Sequence, residues 1–277
     1  MLTRVQVSDG VELQVEDSGA GQPILFIHEF AGDMRQWDYQ VRRLSRTHRC
    51  ITYNARGYPP SDVPEGAEAY SQDIVLADAV ALLDALGIAA AHIVGHSMGA
   101  YTALHMGIRH SDRCRSVVAA GVGYGSDPAA RQTAEVEMKA VAEMFRSLPM
   151  AESAALYGAA DMRKTFARKD PVGFQAFVDR MAEHSGLGHA LTMENLQMKR
   201  PTLQDMRDGL AAFRPPLFVI AGDDDDGCLE GSLMIKRTAP NAGLLVMPHC
   251  SHMMPTEEPA LFTEVITEFI RNVESRS

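Results

Sequence analysis

Cysteine is scarce in this chain and its spacing carries no pattern. The 277 residues hold four, Cys50, Cys114, Cys228 and Cys250, with no C-x-x-C pair. A zinc site or redox pair is not indicated, and free thiols in a reducing compartment fit best. Long apolar runs are also missing: no stretch reaches membrane-spanning length, and Met1 to Val5 alternates like a strand, with neither a basic nor an apolar leader segment. The expectation is a cytoplasmic protein without a membrane partner. Basic residues are outnumbered 26 to 36 by acidic ones, giving a net charge of -10, and they form no polybasic stripe. Nucleic acid is therefore not expected as a partner.

What the chain does have is length and apolar periodicity. At 277 residues it buries enough surface to fold without disulfides or metal, and no composition break divides it. The runs Ile24-Leu25-Phe26-Ile27, Ser116-Val117-Val118-Ala119-Ala120 and Leu217-Phe218-Val219-Ile220-Ala221 are almost continuously apolar, as strands covered on both faces should be. Amphipathic helices are expected between them. One carries Trp37, Val41 and Leu44 after a candidate N-cap at Asp33, and another carries Leu261, Val265, Phe269 and Val273. Alternating strands and helices predict an α/β architecture with a doubly wound sheet. Thr3 to Val7 and Val11 to Glu16, separated by Ser8-Asp9-Gly10, read as an antiparallel hairpin at its edge.

From Tyr124 to about Arg214 the strand-helix rhythm stops. Helical stripes such as Met138, Val141, Phe145 and Leu148, then Leu203, Met206, Leu210 and Phe213, predict an inserted helical cap over 124–214, with 1–123 and 215–277 forming the core. Eight of the sixteen methionines fall in that segment, and flexible thioethers suit an adaptable apolar surface over a pocket as well as an ordinary core.

The chemistry is concentrated at Gly95-His96-Ser97-Met98-Gly99. An apolar run, Ala91-His92-Ile93-Val94, precedes it and a helical stretch to about Arg109 follows. A serine between two glycines at a strand-to-helix corner reads as a nucleophile elbow. Its hydroxyl needs a base, and the base needs a carboxylate to fix its tautomer. Downstream come Gly222-Asp223-Asp224-Asp225-Asp226 and Pro248-His249-Cys250-Ser251-His252, so acid and histidine follow in the chain order such an elbow uses.

These residues resemble the α/β-hydrolase superfamily. Asn54-Ala55-Arg56-Gly57-Tyr58-Pro59-Pro60-Ser61 is similar to its D-x-R-G-x-G-x-S loop, Leu82 to Ile88 to its helix before the nucleophile strand, and His252 to Pro259 to its G-H-x-x-x-x-E-x-P ending. The resemblance implies a mostly parallel eight-stranded sheet flanked by helices, with an inserted helical cap. It implies Ser97 as nucleophile, Asp225 as acid because it stands three residues after the strand-closing glycine, and His252 rather than His249 as base. His249 is expected to be structural or pocket-lining. The oxyanion hole is expected from the backbone N–H groups of Met98 and of Phe30, in the loop His28-Glu29-Phe30 that resembles the family's H-G-x motif.

Glu29, Pro60 and Ser251 stand where the family commonly has glycine. A carboxylate beside an oxyanion hole opposes the developing charge at low dielectric. Glu29 is therefore expected to turn from Ser97 toward Arg35 or Arg56. His96 is expected to pack and His28 to hold the oxyanion loop. Substrate contacts are expected from Glu29, Phe30, Met138 and Met253. No metal or cofactor is called for, because protein atoms supply every required group. The activity so implied is serine hydrolysis of a carboxylic ester or lactone through an acyl-enzyme. Carbon–carbon bond hydrolysis or perhydrolysis on the same triad, or ligand reception without turnover, are the alternatives.

Overall fold

The computed structural model describes residues 1–7, 9–127, 129 and 131–276. Ser8, in the turn expected between the first two strands, lies outside the described residues. Strands β1 (Leu2–Gln6) and β2 (Glu12–Gly19) form the antiparallel edge hairpin, and then β3 (Gln22–Ile27), α1 (Asp38–Leu44), β4 (His48–Tyr53), α2 (Gln72–Ala85), β5 (Ala91–His96), α3 (Met98–Arg109) and β6 (Cys114–Ala120) alternate. Six helices follow, α4 (Arg131–Ser147), α5 (Met150–Gly158), α6 (Lys164–Lys169), α7 (Pro171–Met181), α8 (Gly186–Thr192) and α9 (Arg207–Ala211). The sheet resumes with β7 (Leu217–Gly222), α10 (Asp226–Thr238) and β8 (Ala242–Met247), and the chain closes with α11 (Met254–Glu257) and α12 (Pro259–Glu274).

The eight strands lie in the order β1-β2-β4-β3-β5-β6-β7-β8. Only the pairings of β2 with β1 and β4 are antiparallel. Period-two alternation divides each central strand between the two faces. Ile24 and Phe26 pack with Trp37, Phe262 and Ile266 under α1 and α12, whereas Leu25 and Ile27 pack on the opposite side with Leu82 and Leu104 of α2 and α3. Both faces are covered, which is why 24–27, 116–120 and 217–221 read as almost continuous apolar runs.

The C-terminal helix corrects one expectation. Its fully covered positions are Phe262, Ile266 and Ile270, while Val265 and Phe269 are half-buried and Leu261 is 41% exposed. The buried stripe is one residue out of phase with the expected one: Phe262, Ile266 and Ile270 face the sheet, and Leu261 lies beside that face. Asp33 does cap the segment before α1, accepting from the Arg35 N–H at 2.7 Å, but the first turn it caps is 3-10 (Met34–Trp37). Among the described residues no helix is long and apolar enough to cross a membrane.

The loops after β3, β5, β7 and β8 all leave the carboxyl ends of their strands, the edge at which open α/β sheets gather ligands. The β5-to-α3 connection is the tightest. A Cβ on Gly99 would stand 2.6 Å from the Ile27 carbonyl carbon, against backbone that cannot give, so α3 approaches β3 only through a glycine. Gly87, by contrast, has φ +66° and open space for 4 Å around the position a Cβ would take. Gly99→Ala is expected to lose more than about 3 kcal/mol of stability by displacing backbone, and Gly87→Ala about 1 to 2 kcal/mol of left-handed strain. Urea denaturation of both variants checks this; equal small losses would contradict the packing argument.

Candidate active site

Ser97 occupies the corner itself, with φ 53° and ψ -110°. A non-glycine residue there costs of order 1 to 3 kcal/mol and persists only where its surroundings impose it. The imposition is visible: the Ser97 N–H donates to the Ala120 carbonyl at 2.8 Å, and a Cβ on Gly95 would sit 2.5 Å from the Gly99 carbonyl carbon. The Ser97 hydroxyl makes no capping bond to its own helix, so it is left to the cavity above the sheet.

The loops after β7 and β8 bring Asp225 and His252 together, with His252 Nδ1 and Asp225 Oδ2 at 2.7 Å and both side chains almost wholly buried. Burial opposes the charged imidazole, but the Asp225 charge and hydrogen bond, assisted by Glu29, outweigh it and lift His252 above its ordinary value. Burial likewise works against the Asp225 carboxylate, and the neighbouring His252 more than compensates, lowering it. Its neighbours in the acidic run turn elsewhere: Asp223 accepts from the Cys250 N–H at 3.0 Å, and Asp224 from the Thr165 hydroxyl at 2.7 Å. His249 is exposed, with φ 52°, and contributes its carbonyl to Lys169, so of the two roles expected of it, structural or pocket-lining, it does not take the second.

Two residues hold the His252 ring and loop, His96, expected only to pack, and Gly121, which sequence reasoning passed over. His96 does more than pack: Gln36 Nε2 donates to its Nδ1 at 2.9 Å, which leaves Nε2–H to donate to the His252 carbonyl at 2.7 Å. Burial keeps His96 neutral by lowering it to about 4. Gly121, at φ +61°, ends β6 against the His252 ring, where a Cβ would meet Cε1 at 3.1 Å. A glycine directly after a buried parallel strand was the signal available for it.

The β3 loop carries the other half of the site. His28 Nε2 accepts from the Ala55 N–H at 3.0 Å, so its Nδ1–H donates to the Glu29 carbonyl at 2.6 Å, tying this loop to the one after β4. The Tyr58 hydroxyl donates to the Phe30 carbonyl at 2.8 Å. Among the described residues the Phe30 N–H donates to no protein acceptor, and the Met98 N–H, first in α3, has no intrahelical partner by position.

Glu29 departs from expectation. Arg35 is engaged by Asp33 and Glu183, and Arg56 by Asp78 and Asp9, because each lies beside carboxylates of its own. The cation facing Glu29 is Arg163, 3.7 Å away in the turn between α5 and α6, with both side chains 1% exposed. Burial resists ionisation of Glu29, but Arg163, then His96 and His252, overcome it and hold the carboxyl below its usual range. Arg163 also lies over the Tyr157 ring, 4.4 Å from its centre. The preceding residue, Met162, presents its carbonyl to the His252 N–H at 3.4 Å.

Ser97, His252, Glu29, Phe30 and Met138 line one cavity of about 530 Å³, walled further by Met144, Met193 and Tyr157. Met253 does not reach it; together with Glu29 it borders a smaller space of about 200 Å³ beneath α7. Met181 and Met206 are packed in the core instead. Among the described residues one trio of side chains has metal-like proximity, Asp225, Cys228 and His252, with donor atoms within 4.8 Å. The acid and imidazole already hydrogen-bond each other, and burial pushes the Cys228 thiol well above its usual range, so no thiolate is on offer.

The chain is similar to known proteins along nearly its whole length. A 2-hydroxymuconate semialdehyde hydrolase of Pseudomonas sp. (strain CF600) is 28% identical over 97% of this chain and 94% of its own length. A 3-oxoadipate enol-lactonase of Acinetobacter baylyi is 26% identical over 95% and 94%. A thermophilic esterase from Thermogutta terrifontis superposes with a TM-score of 0.84 at 25% identity, covering 99% of each chain. Hydrolysis is what these relatives share. The family model for the alpha/beta hydrolase fold matches residues 22–259, and the chain belongs to the α/β-hydrolase family.

Proposed function

We propose that this hydrolase cleaves a carboxylic ester or lactone through an acyl-enzyme, with Ser97 as nucleophile, His252 as base and Asp225 as its orienting acid. The observation that carries the reading is the buried 2.7 Å contact between His252 Nδ1 and Asp225, on an imidazole that shares one cavity with a serine held in a strained corner. The aspartate fixes the tautomer in which Nε2 is free to take the Ser97 proton, and it stabilises the imidazolium that results. The Met98 and Phe30 N–H groups then receive the oxyanion. Residues 124–214 act as a cap, placing Met138, Met144, Met193 and Tyr157 over the acyl or alcohol part of the substrate. Carbon–carbon bond hydrolysis on the same residues is the second reading, favoured by the hydroxymuconate semialdehyde hydrolase that matches nearly the full chain.

Glu29 is assigned a place on the cavity wall that Arg163 makes tolerable. An unpaired carboxylate there would oppose the oxyanion; neutralised from behind, it acts on His252 and on the substrate without a net negative field.

Ser97→Ala is expected to lower kcat by about 10⁴-fold or more on whichever ester, lactone or vinylogous diketone is turned over, and retained activity would end the assignment. The base must be neutral to act and its imidazole is raised, so kcat/KM should fall as pH drops through a value above the ordinary imidazole range of about 6.5. Glu29→Gln removes one anion facing His252 and should move that limb to lower pH; a pH profile that stays in place would contradict the role given to Glu29. Arg163→Met strands a buried carboxylate and is expected to lose about 3 to 5 kcal/mol in urea denaturation, with Glu29→Gln in the same chain restoring part of it. An unimproved double variant would argue that the pair is not coupled.

A further inference from the structure

Buried charges in this chain are matched almost throughout. Glu29 faces Arg163, Arg56 faces Asp78, Asp33 faces Arg35, Asp225 faces His252 and Glu257 faces Lys169. Arg200 is the exception: it is 7% exposed, and among the described residues no carboxylate lies within ion-pair distance of it. Its guanidinium stacks on the Tyr101 ring, 3.7 Å from the centre, and donates to two neutral acceptors, the Gln197 side chain and the Tyr124 carbonyl, the latter at 3.3 Å. Two of five N–H groups are thereby used.

Nearby charges do not answer it. Arg131, a second cation that bears on it, is paired with Glu135 at 2.8 Å, while Glu137, on the same cavity's rim, is exposed and accepts from the Tyr124 hydroxyl. A guanidinium stays protonated at any pH of interest, so burying one without an anion is costly unless a ligand supplies the missing charge. Arg200 and Gln197 line the cavity that contains Ser97 and His252.

We infer that Arg200 is a specificity residue for substrates that carry a free carboxylate a few bonds away from the carbonyl attacked by Ser97. The inference rests on the reading of that cavity as the substrate site. A single unpaired positive charge matches a monoanion; a phosphate monoester, with nearly two charges, would leave one uncompensated in the apolar surround. The planar fork and its unengaged donors suit a carboxylate, and Gln197 can supply a further N–H from its amide while its carbonyl holds Arg200. Methionines, Phe30 and Tyr157 then cover the connecting carbons.

The test is binding to full-length protein carrying Ser97→Ala, so that no turnover intervenes, with monomethyl glutarate and its neutral counterpart dimethyl glutarate as probes in calorimetric titrations. The monoanion is expected to bind at least tenfold more tightly. That preference should collapse toward one in Arg200→Gln and survive in part in Arg200→Lys, which keeps the charge but loses the fork. Equal affinity for the two probes, no binding of either, or a preference that persists in Arg200→Gln overturns the inference. Where Arg200→Gln does not fold, the Arg200→Lys ratio decides: a ratio reduced from the parent protein's supports the inference, and an unchanged ratio overturns it. Failure of the ester-cleavage reading appears separately, as absence of turnover by the unmodified chain, and leaves the binding ratio measurable.

Discussion

The close crossing of α3 over β3 and β5 is the constraint from which the remaining geometry follows. Two glycines allow backbone to approach backbone where any side chain would intrude, and the residue between them is forced into a conformation it would not choose. That corner leaves the Ser97 hydroxyl uncapped on the wall of the cavity. Because β6 lies beside β5 and ends in Gly121, the His252 ring has room to settle next to the corner. Asp225, at the end of the next strand, is then within reach of its far nitrogen.

A second theme is charge taken out of water. Attraction and repulsion are both magnified in a low-dielectric interior, so a carboxylate at residue 29 is admissible only with a cation behind it. That cation comes from the helical segment between β6 and β7, and the residue before it touches the His252 backbone. This segment therefore does more than line the cavity. Its short turn at residues 161–163 grips the β3 loop and the β8 loop at once, and His96, linked to Gln36 and to the His252 carbonyl, closes the same circuit from below.

Much of this was legible in the sequence because it is local. Strands covered on both faces announce themselves as unbroken apolar runs, as Leu217–Ala221 does, and the Gly-x-Ser-x-Gly corner is a consequence of steric limits five residues long. Distant partners outside the motif loops were not legible. Nothing near Glu29 indicates that Arg163, rather than Arg35 or Arg56, will face it, since charge is a property of the residue while pairing is a property of the fold. His96 could be seen to flank Ser97, but the two acceptor and donor contacts that occupy its ring come from residues 36 and 252. Met253 follows His252 in sequence and yet faces a different space, because the chain turns there into α11. The phase of α12 failed for a simpler reason: Leu261 and Phe262 are both apolar, and only packing selects between them.

The account depends most on Ser97 being the atom that forms a covalent bond, driven by His252. Treating the native protein with a fluorophosphonate and mapping the adduct by peptide mass spectrometry addresses that claim at the level of the bond itself. The predicted result is a stoichiometric adduct on Ser97 that is suppressed in His252→Ala. An unmodified Ser97 in folded protein, or labelling of another serine at the same rate with or without His252, would contradict it.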